Sequence, residues 1–395
     1  MKNKAVILGC NYYIGLSVIR CLGINGVHTV AVDYTSNHNY GAESKYCSEQ
    51  LIAPHYKTDK NEFVQFLINY ASKQSVPPVL IPCHDSYVEV IDEYLDELNK
   101  FYLISQKEKG LWTKVMNKEI LHTIASENGI NVPETIRVDE ADFYEKVEKV
   151  IKFPCIVKPT DSPAFVAKFR RKIFKVHNRI ELQEALDKAN KAGLEVIVQR
   201  IIPGFDDHMY TYDAYLNQRS QVTHWVTCQK HRQFPINFGA SVYTSQKYVP
   251  ELHEIGSKFL EGINYKGFAE IEFKKDTDTG KFYLIEINAR ITTLNHMLYE
   301  AGVNFPFVMY SELIGKTIED KAITYNTNKV FCYAFEDLLA IRDYIRTRQL
   351  SIFQVVPTIF KRKTYAIWDW KDPKPAISFF KMMLSKVYNR YSKSY

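Results

Sequence analysis

Glu272, Glu286 and Asn288 offer three hard oxygen donors, and Arg290 follows them with a fixed cation. In residues 282–290 the polar Glu286, Asn288 and Arg290 alternate with Ile287 and Ala289, so the two-residue period of a strand predicts one shared face. Glu272 lies in an earlier apolar run, residues 267–273, and the charged stretch 274–281 predicts the turn of a hairpin. Two carboxylates and an amide suit Mg²⁺, which takes oxygen ligands and keeps waters or phosphates in its shell. The predicted metal ligands are therefore Glu272, Glu286 and Asn288, holding one or two Mg²⁺ ions, with Mn²⁺ as a substitute.

Further cations lie upstream. Residues 153–159 form an apolar strand that ends in Lys158, a charge with no structural use on such a strand. Lys118 opens a helix over 117–128, which stops at Gly129. Lys230 and Arg232 alternate on a strand, which predicts a shared face and makes Arg232 a candidate for two-pronged carboxylate recognition.

These residues need a scaffold. The start of the chain reads as strand 5–8, loop 9–15, helix 16–22 and strand 27–33. A helix at 62–72, a strand at 79–82 and a helix at 88–99 continue the alternation and imply a parallel sheet. Gly9 to Gly15 lacks the dinucleotide pattern because Asn11 stands at its second glycine position, which speaks against an oxidoreductase despite Asp33 at the end of the second strand. His84 and Asp85 follow a strand's carboxyl end, where open α/β sheets bind ligands, and are substrate-pocket candidates.

The hairpin, the two lysines and the α/β start resemble the ATP-grasp family of carboxylate–amine ligases. The resemblance implies an α/β protein with α+β lobes: a Rossmann-like parallel-sheet domain (1–112), a small ATP-grasp lobe (113–198), a large lobe with the metal site (199–323) and a basic aromatic extension (324–395). It implies ATP as cofactor, with Lys118 and Lys158 on its phosphates. Residues 195–207 are similar to the family's adenine-binding hinge, which implies Gln199, the backbone of Arg200 and Ile202, and Asp206 or Asp207 on the ribose. Lys230 and Arg232 would lie near the γ-phosphate and the acceptor carboxylate, and Arg290 would stabilise an acyl phosphate and the following oxyanion. The stretch 160–172 has no glycine where many members carry a glycine-rich loop, so Lys168, Arg170, Arg171 or Lys172 would cover the phosphates by charge. His296, just past the metal strand, would face substrate.

The 160–172 loop and the tail most resemble aspartate-using amino-acid ligases. The preferred implication is an L-aspartate–L-methionine dipeptide ligase; the alternatives are a D-aspartate ligase acting on a cell-wall precursor and an inactive nucleotide-binding module.

The 395 residues, 46% hydrophobic, can bury a large core. The net charge is +6, but residues 361–395 alone carry nine Lys or Arg against two Asp, a net +7. With basicity confined to the tail, nucleic acid is not an expected partner. Amino acids are the expected partners, in a cytoplasmic protein open to oligomerisation. Seven scattered cysteines without a Cys-x-x-Cys pair indicate neither disulfides nor zinc. The basic amphipathic stretch 379–390 either touches anionic lipid or packs on the body, the second being preferred.

Overall fold

The apolar run Ala5–Leu8 is fully buried and forms an inner strand (β1) of a parallel sheet. With β2 (Thr29–Asp33), β3 (Glu49–Ile52) and β4 (Val79–Pro82) it makes four strands in the order β3-β2-β1-β4. The structure is a computed structural model describing residues 2–35, 39–160 and 162–392, with the side chains of 162, 163 and 387–392 left aside. The chain runs from β1 to one side and returns to the other side as β4, so the β1/β4 boundary is the switch point where such sheets open a crevice. Gly9, at φ +88°, turns the chain there, and a Cβ on Gly15 would lie 2.6 Å from the Gly9 carbonyl oxygen. The following helix, Tyr13–Gly23, starts earlier than the sequence predicts, and the helix expected over 88–99 is divided into Asp85–Glu93 and Leu95–Leu98.

A second, antiparallel sheet joins β5 (Thr135–Arg137), β6 (Cys155–Pro159), β7 (Phe174–Val176) and β8 (Val196–Arg200) in the order β5-β8-β6-β7. The expected loop at 160–172 is largely helical, over Ser162–Phe169, while Asp161 lies outside the described residues. Phe165 and Phe169 share one helix face at i, i+4 and pack on each other and on Phe174, with ring centroids 4.8–5.0 Å apart. That aromatic cluster supplies what the missing glycines would have withheld.

The third sheet contains β9 (Met209–Leu216), β10 (Val222–Phe234), β11 (Ala240–Gln246), β12 (Gly267–Lys275), β13 (Phe282–Asn288), β14 (Lys321–Ala322), β15 (Val330–Cys332) and β16 (Thr364–Tyr365). Its order is β13-β12-β9-β10-β11-β15-β16, with β14 on β10. The predicted hairpin is the β12–β13 pair at its edge, and Arg290 lies just beyond the end of β13.

The carboxy-terminal segment is tied back to the start of the chain. Arg20 Nε donates to Asp372 at 2.9 Å, Ser44 Oγ donates to the same carboxylate at 2.6 Å, and Arg20 and Asp372 are 0% and 1% exposed. The helix Lys374–Ser392 then buries Ala376 and sets Phe379 edge-on to Tyr40, while Phe380 and Leu384 stay exposed. All seven cysteines are free. Among the described residues, no helix is long and apolar enough to cross a membrane.

Candidate active site

A cleft of about 1090 Å³ lies where the three sheets meet, and it collects residues from all of them. On β12–β13, Glu272 stands directly opposite Glu286, and Glu270 opposite Asn288. Two-residue alternation puts these four side chains on one face. Like charges directly opposed on a sheet repel, so this arrangement needs cations around it. Lys230 Nζ from β10 lies 2.5 Å from Glu272, and Lys118 Nζ from the start of helix Lys118–Glu127 lies 2.7 Å from Glu286. Asn117 caps that helix by accepting from the amides of Glu119 and Ile120, which fixes where Lys118 begins.

Burial, with the nearby Glu286 and Glu270, pushes the Glu272 carboxyl up to about 7 against the pull of Lys230. Lys118 holds Glu286 well below the usual carboxylate range. Two opposed glutamates and the Asn288 amide make an all-oxygen donor set whose mutual repulsion a divalent cation would relieve, so the residues present fit Mg²⁺. Among the described residues, no group of three His, Cys, Asp or Glu side chains forms a metal cage. The fit is thus to an ion that completes its shell from phosphate and water.

Lys158 projects from the end of β6 into the cleft, with Nζ 3.5 Å from the Gln199 side-chain oxygen on neighbouring β8. Burial and the charge of Lys118 lower its pKa to about 7. Gln199 is buried and spends its amide on the Thr135 hydroxyl at 2.9 Å. Ile202, Asp206 and Lys172 also line the cleft. Asp206 already accepts from the Asn237 amide at 2.8 Å and from the Tyr344 hydroxyl.

At the other end, Arg290 makes a two-pronged pair with Asp85, at 2.6 and 3.2 Å, and also donates to the Asn288 side-chain oxygen at 3.3 Å. His84 caps the helix Asp85–Glu93 by accepting from the Ser86 amide at 3.2 Å. Both candidates line the cleft, where the histidine also caps the helix and the aspartate holds the arginine. Tyr12, Tyr34, Tyr56 and Tyr87 line this end.

Three expectations need correction. Arg232 is buried away from the cleft, bonded to Asp337 at 2.6 and 2.8 Å and stacked over Tyr243 at 3.9 Å. The cause is a bulge: Lys230 pairs with Thr244 and Arg232 with the adjacent Tyr243, so one extra residue turns Arg232 to the opposite face. His296 is buried on the helix Asn295–Ala301 and lies 3.8 Å from Asp369 of the carboxy-terminal segment, not in the cleft. Asp207 is exposed and paired with His208 at 2.7 Å. Arg200, whose backbone was expected near adenine, does line the cleft, with its amide already bonded to the Glu134 carbonyl at 2.9 Å because β8 is paired with β5.

Several cleft residues escaped the sequence reading. Glu270 accepts from Asn288 and from the Thr292 hydroxyl, both at 2.9 Å, and its place two residues before Glu272 was the available signal. Outside the lining, Asp213 is fully buried on β9 and pairs in register with Glu270; burial and that neighbour hold its carboxyl well above the usual range. Lys274 reaches the Phe205 carbonyl oxygen, and burial lowers its pKa to about 8.

Residues 125–319 match the family described as D-ala D-ala ligase C-terminus. The chain is 28% identical over 322 residues to the D-aspartate ligase of Enterococcus faecium, covering 74% of this chain and 76% of that one. Among solved structures, the L-amino acid ligase from Bacillus licheniformis superposes with a TM-score of 0.60 at 15% identity, over 81% of this chain and 76% of that one. The biotin carboxylase domain of the Hydrogenobacter thermophilus 2-oxoglutarate carboxylase, solved with MgADP, gives 0.62 at 16% identity, over 84% and 74%. The fold is the ATP-grasp fold, and the chain resembles the ATP-grasp ligases, ATP-dependent enzymes that form C–N bonds. Within that class it resembles D-aspartate ligase.

Proposed function

We propose that the protein joins aspartate to an amine through an acyl phosphate. A carboxylate oxygen of aspartate attacks the γ-phosphorus of ATP, the bond to the β-phosphate oxygen breaks, and ADP leaves. The amine nitrogen then attacks the acyl carbon, the bond to phosphate breaks, and the nitrogen gives up a proton. Such chemistry relies on positioning and charge more than on covalent help from the protein.

The observation that carries this reading is the opposed pair Glu272 and Glu286 with lysines at each end of a cleft. Glu272, Glu286 and Asn288 would hold one or two Mg²⁺ ions, or Mn²⁺ in the same oxygen site. The ion supplies charge neutralisation to the phosphates when bound. Lys118, Lys158 and Lys172 balance phosphate charge, with Lys230 beside them. Gln199 and the backbone around Ile202 are assigned to adenine, and Asp206 to the ribose end. Arg290, oriented by Asp85, is assigned to the developing oxyanion.

Aspartate as the acid is supported by the similarity to the E. faecium enzyme. The dipeptide ligase taking L-aspartate and L-methionine, preferred from the sequence, and a D-aspartate ligase are the two forms of this reading; the relative favours the second. A cytoplasmic setting goes with both. ADP release measured with L- or D-aspartate, alone and with methionine or a cell-wall precursor peptide carrying a free amine, separates them. Release that depends on methionine selects the first, and release with D-aspartate and the peptide selects the second. No aspartate-dependent release with any pair removes aspartate from the account.

A further inference from the structure

The helix Ile352–Phe360 is built inside out. Ile352, Phe353, Val356, Ile359 and Phe360 fall on one stripe about 120° wide at 3.6 residues per turn. A stripe of this kind normally faces a core. Here these side chains are 60%, 89%, 43%, 58% and 83% exposed. The inward face is Val355, which is buried, and Thr358, whose hydroxyl accepts from Arg232 at 3.2 Å and whose carbonyl accepts from the Tyr243 hydroxyl at 3.4 Å. A capping box of Ser351 and Gln354 closes the amino end. The helix is thus anchored with its apolar side outward.

The surrounding charge indicates what covers that side. The helix carries no charged residue, and from residue 344 to residue 368 the sequence has no Asp or Glu. Arg346 and Arg348 before the helix, and Lys361 and Arg362 after it, are exposed. Lys363 is turned back onto the Ile359 and Lys361 carbonyl oxygens at 2.7 and 2.8 Å. An uncharged apolar stripe with phenylalanines near both ends and cations on both flanks matches the layering of a bilayer interface, acyl chains below and anionic headgroups around.

We propose that the helix Ile352–Phe360 docks the protein on an anionic lipid surface, lying in the interface plane. A nine-residue helix rises about 14 Å, far short of a span. The proposed surface contact is this helix and not residues 379–390, for which the sequence analysis preferred packing on the body.

The test is flotation of the full chain with vesicles of phosphatidylcholine, with and without phosphatidylglycerol. The protein should float with phosphatidylglycerol and be released by salt. Phe353→Ser with Phe360→Ser, and separately Lys361→Glu with Arg362→Glu, should each weaken partitioning about tenfold or more while thermal unfolding is unchanged. These side chains are exposed, so the variants fold. Failure of the wild type to float, equal binding to phosphatidylcholine alone, or unaltered flotation of the variants overturns the proposal. So does a dimer in solution that Phe353→Ser dissociates, which would make the face a contact between two copies.

Discussion

Glu272 and Glu286 face each other across β12–β13, and each is held by a lysine from a distant part of the chain, Lys230 and Lys118. The pair is a charge-balanced site whose balance changes when phosphates arrive. On the proposed reading, phosphates would compete for the lysines and leave the carboxylates to a divalent cation. Glu286→Gln should therefore lower Mg²⁺-dependent ADP formation by about 100-fold or more, with the circular dichroism spectrum unchanged. Near-normal turnover in the folded variant would remove Glu286 from the metal site.

Glu272 adds a pH dependence to the same site. With its carboxyl pushed up to about 7, protons compete with Mg²⁺ as pH falls below neutrality. The Mg²⁺ concentration giving half-maximal ADP formation should fall from pH 6 to pH 8 and then level off. A requirement that is flat over this range would contradict the assignment.

Lys158 predicts a proton linked to nucleotide binding. Its folded-state pKa, lowered to about 7 from the usual 10.5, means that between these values the unfolded chain binds more protons. Stability gains from this group as pH rises through that window, and the cost of burying its charge is fully present below 7. Bound phosphate favours the ammonium, so ADP binding at pH 8 should take up close to one proton. Calorimetry in buffers of different ionisation enthalpy measures this, and Lys158→Met should abolish it.

Arg232 now predicts stability rather than substrate affinity. Its pairing with Asp337 is buried, and removing one partner leaves an uncompensated charge costing about 3–5 kcal/mol. Asp337→Ala should lower the melting temperature substantially while the aspartate KM of the folded protein stays within about twofold of wild type. A large rise in KM without loss of stability would return Arg232 to the substrate site.

What the sequence made legible follows from period and punctuation. Alternation through 282–288 marked the face that brings Glu286 and Asn288 to the cleft, and the apolar run ending at Lys158 marked a charge delivered to the same cleft. The parallel sheet could be read from β1, β2 and β4 because buried strands separated by helices leave few other arrangements. Arg232 was misplaced because a bulge shifts alternation by one residue without altering composition. His296 and Asp372 were illegible for another reason: their surroundings come from segments far apart in the chain, as in the Arg20–Asp372 bond.

The central claim is that aspartate is activated by phosphorylation, and the nucleotide product tests it most directly. With ATP, Mg²⁺, aspartate and the amine that supports turnover, the account predicts one ADP and one phosphate for each amide formed, with release lost in Glu286→Gln. AMP and pyrophosphate in the same stoichiometry would mean adenylation of the acid and would contradict the account.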